Sequence, residues 1–149
     1  GILNEDESIA TIDRRKLGKI VFSDPTLLNR LNSIIHPLVF AMEDRWLRDI
    51  QQTGPNAIAI VEAAILIETG SYRRFDKLIV TWCPEVNILN RARERSGWPD
   101  GEVKQRLARQ MPMEKKKSFA DYLIDTSGDM ANIIKQTHAV YSALRSQKL

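Results

Sequence analysis

The sequence predicts an α/β fold, a parallel sheet covered on both faces by helices. Three observations lead there. Short apolar runs at 57–61, at 77–83 and within ADYLIDTSG (120–128) alternate with stretches of helical periodicity. The helical stretches carry start signals, an acid followed by proline or a proline alone. With 149 residues, 43% hydrophobic and 28% charged, the chain fits one ordinary globular domain, 1–149, able to bury a sizeable core.

Taken in order, the residues up to about Ile12 are polar and read as loop. The stretch DRRKLGKIVF reads as a short helix, with Leu17, Ile20 and Val21 at helical spacing. Asp24-Pro25 is an N-cap acid followed by proline at the first helical position. Leu27, Leu28, Leu31, Ile34 and Ile35 then share a face. His36-Pro37 is expected to break that helix and open another, with Leu38, Val39, Met42, Trp46 and Ile50 on one side. QQTGPN ends it. A strand is expected over residues 57–61, followed at once by Glu62, and a second apolar run, 63–67, closes at Glu68-Thr69-Gly70. A carboxylate between apolar runs must be paired or face a polar cleft.

The run KLIVTWC stops at Pro84, which begins a helix through about Arg95. After the Gly97-Trp98-Pro99 turn comes a basic helix to about Gln110, then a short helix from Pro112. ADYLIDTSG reads as the third strand running into a turn, and Asp129 caps a last helix. Met130, Ile133, Ile134, Thr137, Val140, Tyr141 and Leu144 lie on or near its inner face. Trp46, Trp82 and Trp98 read as packing residues. There is no internal repeat and no low-complexity segment.

Charge narrows the function. Residues 91–118 hold nine Lys or Arg against four acids, a net of +5, whereas the remainder holds 13 against 15, a net of −2. Confinement of the positive excess points to a local anionic ligand rather than to nucleic acid. No apolar stretch reaches the length of a membrane span, and NEDES near the start does not resemble a signal peptide. The lone Cys83 rules out an internal disulfide, and neither His36 nor His138 has a zinc-motif partner. The setting expected is reducing and cytoplasmic.

Ligands of open α/β sheets lie beyond the carboxyl ends of the strands. Here those ends are Glu62, Cys83-Pro84 and Asp125-Thr126-Ser127-Gly128. Arg91 and Arg95, four apart, share a helix face and can point at one anion; Arg106 and Arg109, three apart, could close from the next helix. The alternative is that these are solvated surface arginines, some paired with Glu94 or Glu102. Lys115 to Lys117 read as a solvated face. Read alone, the Asp125–Gly128 stretch is a helix-capping turn. Glu68 reads equally as a helix-end surface charge, and His36 as a residue that orients a helix break.

The segments IDRRKLGKIVFSDP, LNRLNSIIHPLV, IVEAAILIETG, DKLIVTWCPE, RLARQMP and ADYLIDTSG, in that order, resemble the dephospho-CoA kinase family. The resemblance covers nearly the whole chain. It implies a three-layer α/β/α, P-loop NTPase-like fold with ATP-dependent phosphorylation of the ribose 3′-hydroxyl of dephospho-CoA, the last step of coenzyme A biosynthesis. It implies a helical CoA-substrate region at 13–53 and a mobile basic lid at 91–118. It also implies phosphate contacts for Arg91, Arg95 and Arg106, and substrate contacts for His36, Glu62 and Glu68. Asp125, Thr126, Ser127 and Gly128 would lie beside the adenine of ATP, and Glu62 could reach Mg²⁺ through water. Family members usually have Asp and proline near this last position, where this chain has Glu62, Ala63 and Ala64.

One part of the family pattern is missing. Among seven glycines only Gly18 precedes a lysine, and no G-x-x-x-x-G-K-[ST] loop occurs in the sequence. By the resemblance the chain matches the carboxyl-terminal portion of the fold, without the central P-loop strand or the family's catalytic aspartate. Three expectations follow: no kinase activity from this polypeptide alone, exposed sheet edges that a second copy could re-pair, and, as the alternative function, a non-catalytic CoA- or nucleotide-binding module.

Overall fold

The computed structural model describes residues 3–4, 11–54 and 56–147. The chain was read as one domain; its contacts group into two compact units, residues 1–59 and 60–149.

In the first unit, β1 (Leu3–Asn4) pairs antiparallel with β2 (Thr11–Ile12), Leu3 opposite Ile12. The opening read as loop therefore contains a two-residue ladder. The expected helix is α1 (Arg14–Val21), begun by Asp13, whose carboxylate accepts from the amides of Arg15 and Lys16 at 3.0 and 2.9 Å. These amides hold the Asp13 carboxyl below its usual range, the Lys16 N–H contributing most. Asp24 caps α2 (Pro25–Thr53) in the same way, accepting from the Thr26 amide at 2.8 Å.

The break expected at His36-Pro37 does not occur: α2 runs 29 residues with Pro37 inside it. Proline removes one intrahelical N–H. A single missing bond does not end a helix whose turns on either side propagate cooperatively. The amide of Gly54 closes α2 on the Ile50 carbonyl at 2.7 Å; Pro55, the other half of the expected stop, lies outside the described residues. Helices α1 and α2 pack together, with Val21 buried. The predicted apolar face of α2 is periodic yet open, and Met42 is 74% exposed.

Where the chain passes from the first unit into the second, the strand expected at 57–61 is absent: residues 57–63 have neither helix nor strand, and Ile60 is 70% exposed. Strand identity comes from a hydrogen-bonded neighbour, which an apolar run cannot supply by itself. The next run, 64–70, forms turns that end at Gly70 (φ 72°), a left-handed position suited to glycine, before a short 3-10 turn, Ser71–Arg74.

The other two expected strands form. β3 (Ile79–Trp82) and β4 (Tyr122–Asp125) pair in parallel, Ile79 opposite Tyr122 and Trp82 opposite Asp125. Between them run α3 (Glu85–Ser96), α4 (Asp100–Leu107) and α5 (Met113–Lys117). Each follows a proline (Pro84, Pro99, Pro112) whose fixed φ suits a helix start. Gly97, at φ 63°, ends α3. Last comes α6 (Met130–Ser146), capped as expected by Asp129, which accepts from the Asn132 amide at 2.8 Å. It packs on β4 through a face that includes Ile133, Gln136, Val140 and Leu144, whereas Met130, Ile134, Thr137 and Tyr141, expected inside, are exposed. Val80, Ile124, Val103, Val140 and Ile67 are buried in this unit.

Candidate functional site

The carboxyl ends of β3 and β4 lie side by side because Trp82 and Asp125 are in register. Pro84 turns the chain directly into α3, so Arg91 on that helix returns over the strand ends. Its guanidinium donates to the Thr126 hydroxyl at 3.2 Å, to the Thr126 carbonyl, and weakly to the Cys83 sulfur at 3.8 Å. Thr126 is in turn tied to β3, its amide and hydroxyl both donating to the Trp82 carbonyl at 2.8 and 3.1 Å. A permanently charged fork thus sits where an α/β sheet meets its ligands.

Beside it, Asp125 and Ser127 close a turn. The Asp125 carboxylate accepts from the Ser127 hydroxyl at 2.6 Å and its amide at 2.8 Å. These bonds, the hydroxyl first, hold its carboxyl below the usual range. The Asn87 side chain donates to the Ser127 carbonyl at 3.5 Å. Gly128 packs close: a Cβ there would lie 3.3 Å from the Asn132 side-chain nitrogen. From α6, the amide of Gln136 both accepts from the Asp125 N–H and donates to its carbonyl, at 2.9 Å each. Gln136 escaped the sequence reading. Its signal was a polar residue on the helix face that also carries Ile133 and Val140.

The structure thus brings Arg91, Asp125, Thr126 and Ser127 together. The other arginines are placed differently. Arg95 lies one turn beyond Arg91 and is exposed, with no ion pair among the described residues. Arg93 pairs with Asp100 at 2.7 Å across the Gly97 turn. Arg106 bonds Glu102 at 2.9 Å and stacks over the Trp98 ring at 4.1 Å.

Of Lys115 to Lys117, expected as a solvated face, Lys115 is exposed but Lys116 and Lys117 are not. The Lys116 ammonium is buried and fully partnered by the Glu68 carboxylate at 2.9 Å, the Gln110 side-chain oxygen at 3.1 Å and the Ala64 carbonyl at 3.2 Å. Glu68 also accepts from the Met111 amide at 2.8 Å. Partial burial pushes its carboxyl up, but Lys116 and the Met111 N–H outweigh this and hold it below the usual range. Glu68 therefore fastens the α4–α5 junction to the 64–70 turn. Lys117 lies over the Trp82 ring at 3.7 Å and pairs with Glu114 at 2.7 Å.

Glu62 is exposed and makes no hydrogen bond or ion pair among the described residues, and no cluster of three metal-ligating side chains occurs among them. His36, within α2, has its ring centre 6.0 Å from that of Phe40. Among the described residues no helix is long and apolar enough to cross a membrane.

Comparison with known proteins identifies the family of the chain. A family profile described as dephospho-CoA kinase matches residues 2–132. The chain is 36% identical over 144 residues to a dephospho-CoA kinase of Aquifex aeolicus, covering 97% of this chain and 70% of that one. It is 36% identical over 133 residues to one of Lactobacillus acidophilus, covering 88% and 64%. Two solved structures are similar: TT1252 from Thermus thermophilus (TM-score 0.74, 29% identity, 89% of this chain and 68% of that) and the dephospho-CoA kinase of Campylobacter jejuni (0.67, 25%, 98% and 72%). The chain spans about two thirds of the length of the curated relatives it matches. Its α/β fold, with a small parallel sheet, is the class read from the sequence and is consistent with an incomplete P-loop NTPase-like fold. By this profile and these identities, the chain belongs to the dephospho-CoA kinase family.

Proposed function

We propose that the protein to which this chain belongs transfers the γ-phosphoryl group of ATP to the ribose 3′-hydroxyl of dephospho-CoA, in the cytoplasm. The observation that carries this reading is the guanidinium of Arg91, held by Thr126 at the ends of two parallel strands. Phosphoryl transfer requires positive charge fixed around the migrating group and little covalent chemistry from the protein. Arg91 supplies that charge at the strand ends. Arg95 and Arg106, on α3 and α4, would meet phosphate oxygens when the lid segment 91–118 closes. For Arg106 this means leaving Glu102 and Trp98. The turn Asp125–Thr126–Ser127–Gly128 would border the nucleotide base, while the 13–53 helices with His36 would hold the CoA moiety.

Magnesium chemistry fits what Glu62 offers. The ion keeps several waters and takes one or two carboxylates alongside substrate phosphates, and Glu62 is an exposed carboxylate without a partner among the described residues. Bound there, the ion would neutralise phosphate charge, and Glu62 would orient one of its waters.

For this polypeptide by itself, the lack of a G-x-x-x-x-G-K-[ST] loop in the sequence favours a second reading: binding of nucleotide or CoA without turnover. Calorimetry with ATP and with dephospho-CoA, alongside a phosphoryl-transfer assay, tests both. The expected result is measurable ATP binding, weakened roughly tenfold or more by Arg91→Ala. Arg91→Lys should restore it poorly, because the ammonium lacks the fork. Turnover by this polypeptide above background would overturn the second reading. ATP affinity indifferent to Arg91→Ala would overturn the placement of the site.

A further inference from the structure

The hydrogen-bond pattern of β4 leaves one pair of backbone groups in an unusual position. In a parallel ladder alternate residues face the neighbouring strand. Tyr122 and Thr126 bond toward β3, their amides donating to the Leu78 and Trp82 carbonyls, so the N–H and C=O of Asp125 face the opposite edge. No strand lies there among the described residues. The carboxamide of Gln136 takes that place, accepting from the Asp125 N–H and donating to the Asp125 carbonyl at 2.9 Å each, as a neighbouring strand would. A carboxamide carries a donor and an acceptor side by side, which both groups of one residue require.

The Asp125–Thr126 peptide is thus fixed at every polar atom. Gln136 holds the Asp125 backbone, Ser127 holds its carboxylate, and the Trp82 carbonyl holds the Thr126 amide. The Thr126 hydroxyl and carbonyl are the groups that receive Arg91. We infer that Gln136 is a positioning residue of the phosphate-facing site. It acts through the Asp125–Thr126 peptide and sets where the Arg91 guanidinium points. The inference rests on the proposed function for its meaning, though not for its geometry. An apolar side chain at this position would leave the Asp125 N–H and C=O without partners and release the peptide that orients Arg91.

The test separates geometry from function. Nitrogen-resolved spectra of the chain, without ligand, follow the Arg91 guanidinium and the exchange of the Asp125 amide. In Gln136→Leu the expected result is loss of the ordered Arg91 signals and faster exchange at Asp125, with Ile124 still protected. Gln136→Glu keeps the acceptor and loses the donor, so the Asp125 amide should stay protected while Arg91 loosens. This second variant also decides the matter should the leucine variant not fold. Arg91 signals as ordered as wild type in either folded variant would overturn the inference.

ATP affinity adds a reading that a merely structural role would not move. Gln136→Leu and Arg91→Ala should each weaken binding roughly tenfold, and together no more than the worse of the two. Independent, multiplying losses would overturn the inference. If Arg91→Ala leaves ATP binding unchanged, the functional reading fails, and the ligand-free spectra still decide the role of Gln136.

Discussion

Of Lys115, Lys116 and Lys117, the middle residue is buried, and its ammonium meets three acceptors, Gln110 six residues upstream and Ala64 and Glu68 from the distant 64–70 turn. A run of three lysines carries no sign of this. Which member turns inward depends on Glu68, Ala64 and Gln110, and folding alone brings them near. Replacing Lys116 with Met would leave the Glu68 carboxylate, whose side chain is 20% exposed, without its cation. The expected loss is about 2–3 kcal/mol, below that of a fully buried pair, read from the urea midpoint. Glu68 also makes stability depend on pH. Because its carboxyl is held below the usual range, its contribution is complete above about pH 4.3 and disappears as pH falls through the folded value. The Glu68→Gln variant should therefore lose less stability than wild type over that acidic interval, as measured by denaturation at a series of pH values. An equally steep fall in both would argue against this role for Glu68.

At the scale of elements, helix starts were legible because their chemistry is local. Asp24 and Asp129 cap within three residues of themselves, and Pro84 and Pro112 fix φ where a helix begins. The misread elements depend on partners or on cooperativity. The run at 57–61 has the composition of a strand and lacks a neighbour to pair with among the described residues. Pro37 looks like a stop, yet α2 continues through it. Since that helix persists without one N–H, Pro37→Ala should restore a bond to the Ser33 carbonyl. It should raise the thermal midpoint, with a gain on the order of 1–3 kcal/mol. An unchanged or lower midpoint would mean that the proline is accommodated at no cost. Gly97→Ala tests the end of α3 differently. A Cβ there meets nothing within 4 Å, so only the positive φ opposes it, at about 1 kcal/mol by denaturant titration.

Over the whole molecule, the sequence located the charged segment and two of the strand ends, but not the bond that joins them. Arg91 and Thr126 are 35 residues apart, and their meeting follows from the parallel register of β3 and β4. The boundary between the two compact units falls between Ala59 and Ile60, in a stretch without helix or strand. Limited digestion by a glutamate-specific protease should therefore cut first after the exposed Glu62. A first cut elsewhere would show that the junction is better protected than its exposure suggests.

The amide of Gln136 against Asp125 has a consequence for how this sheet can grow. On the outer side of β4 the last outward-facing backbone pair is already taken, which leaves Leu123 too short a template for a stable ladder. The far side of β3 has no such plug among the described residues. The sheet is therefore one-directional, and an added strand, from this protein or from a second copy, has its open template at β3.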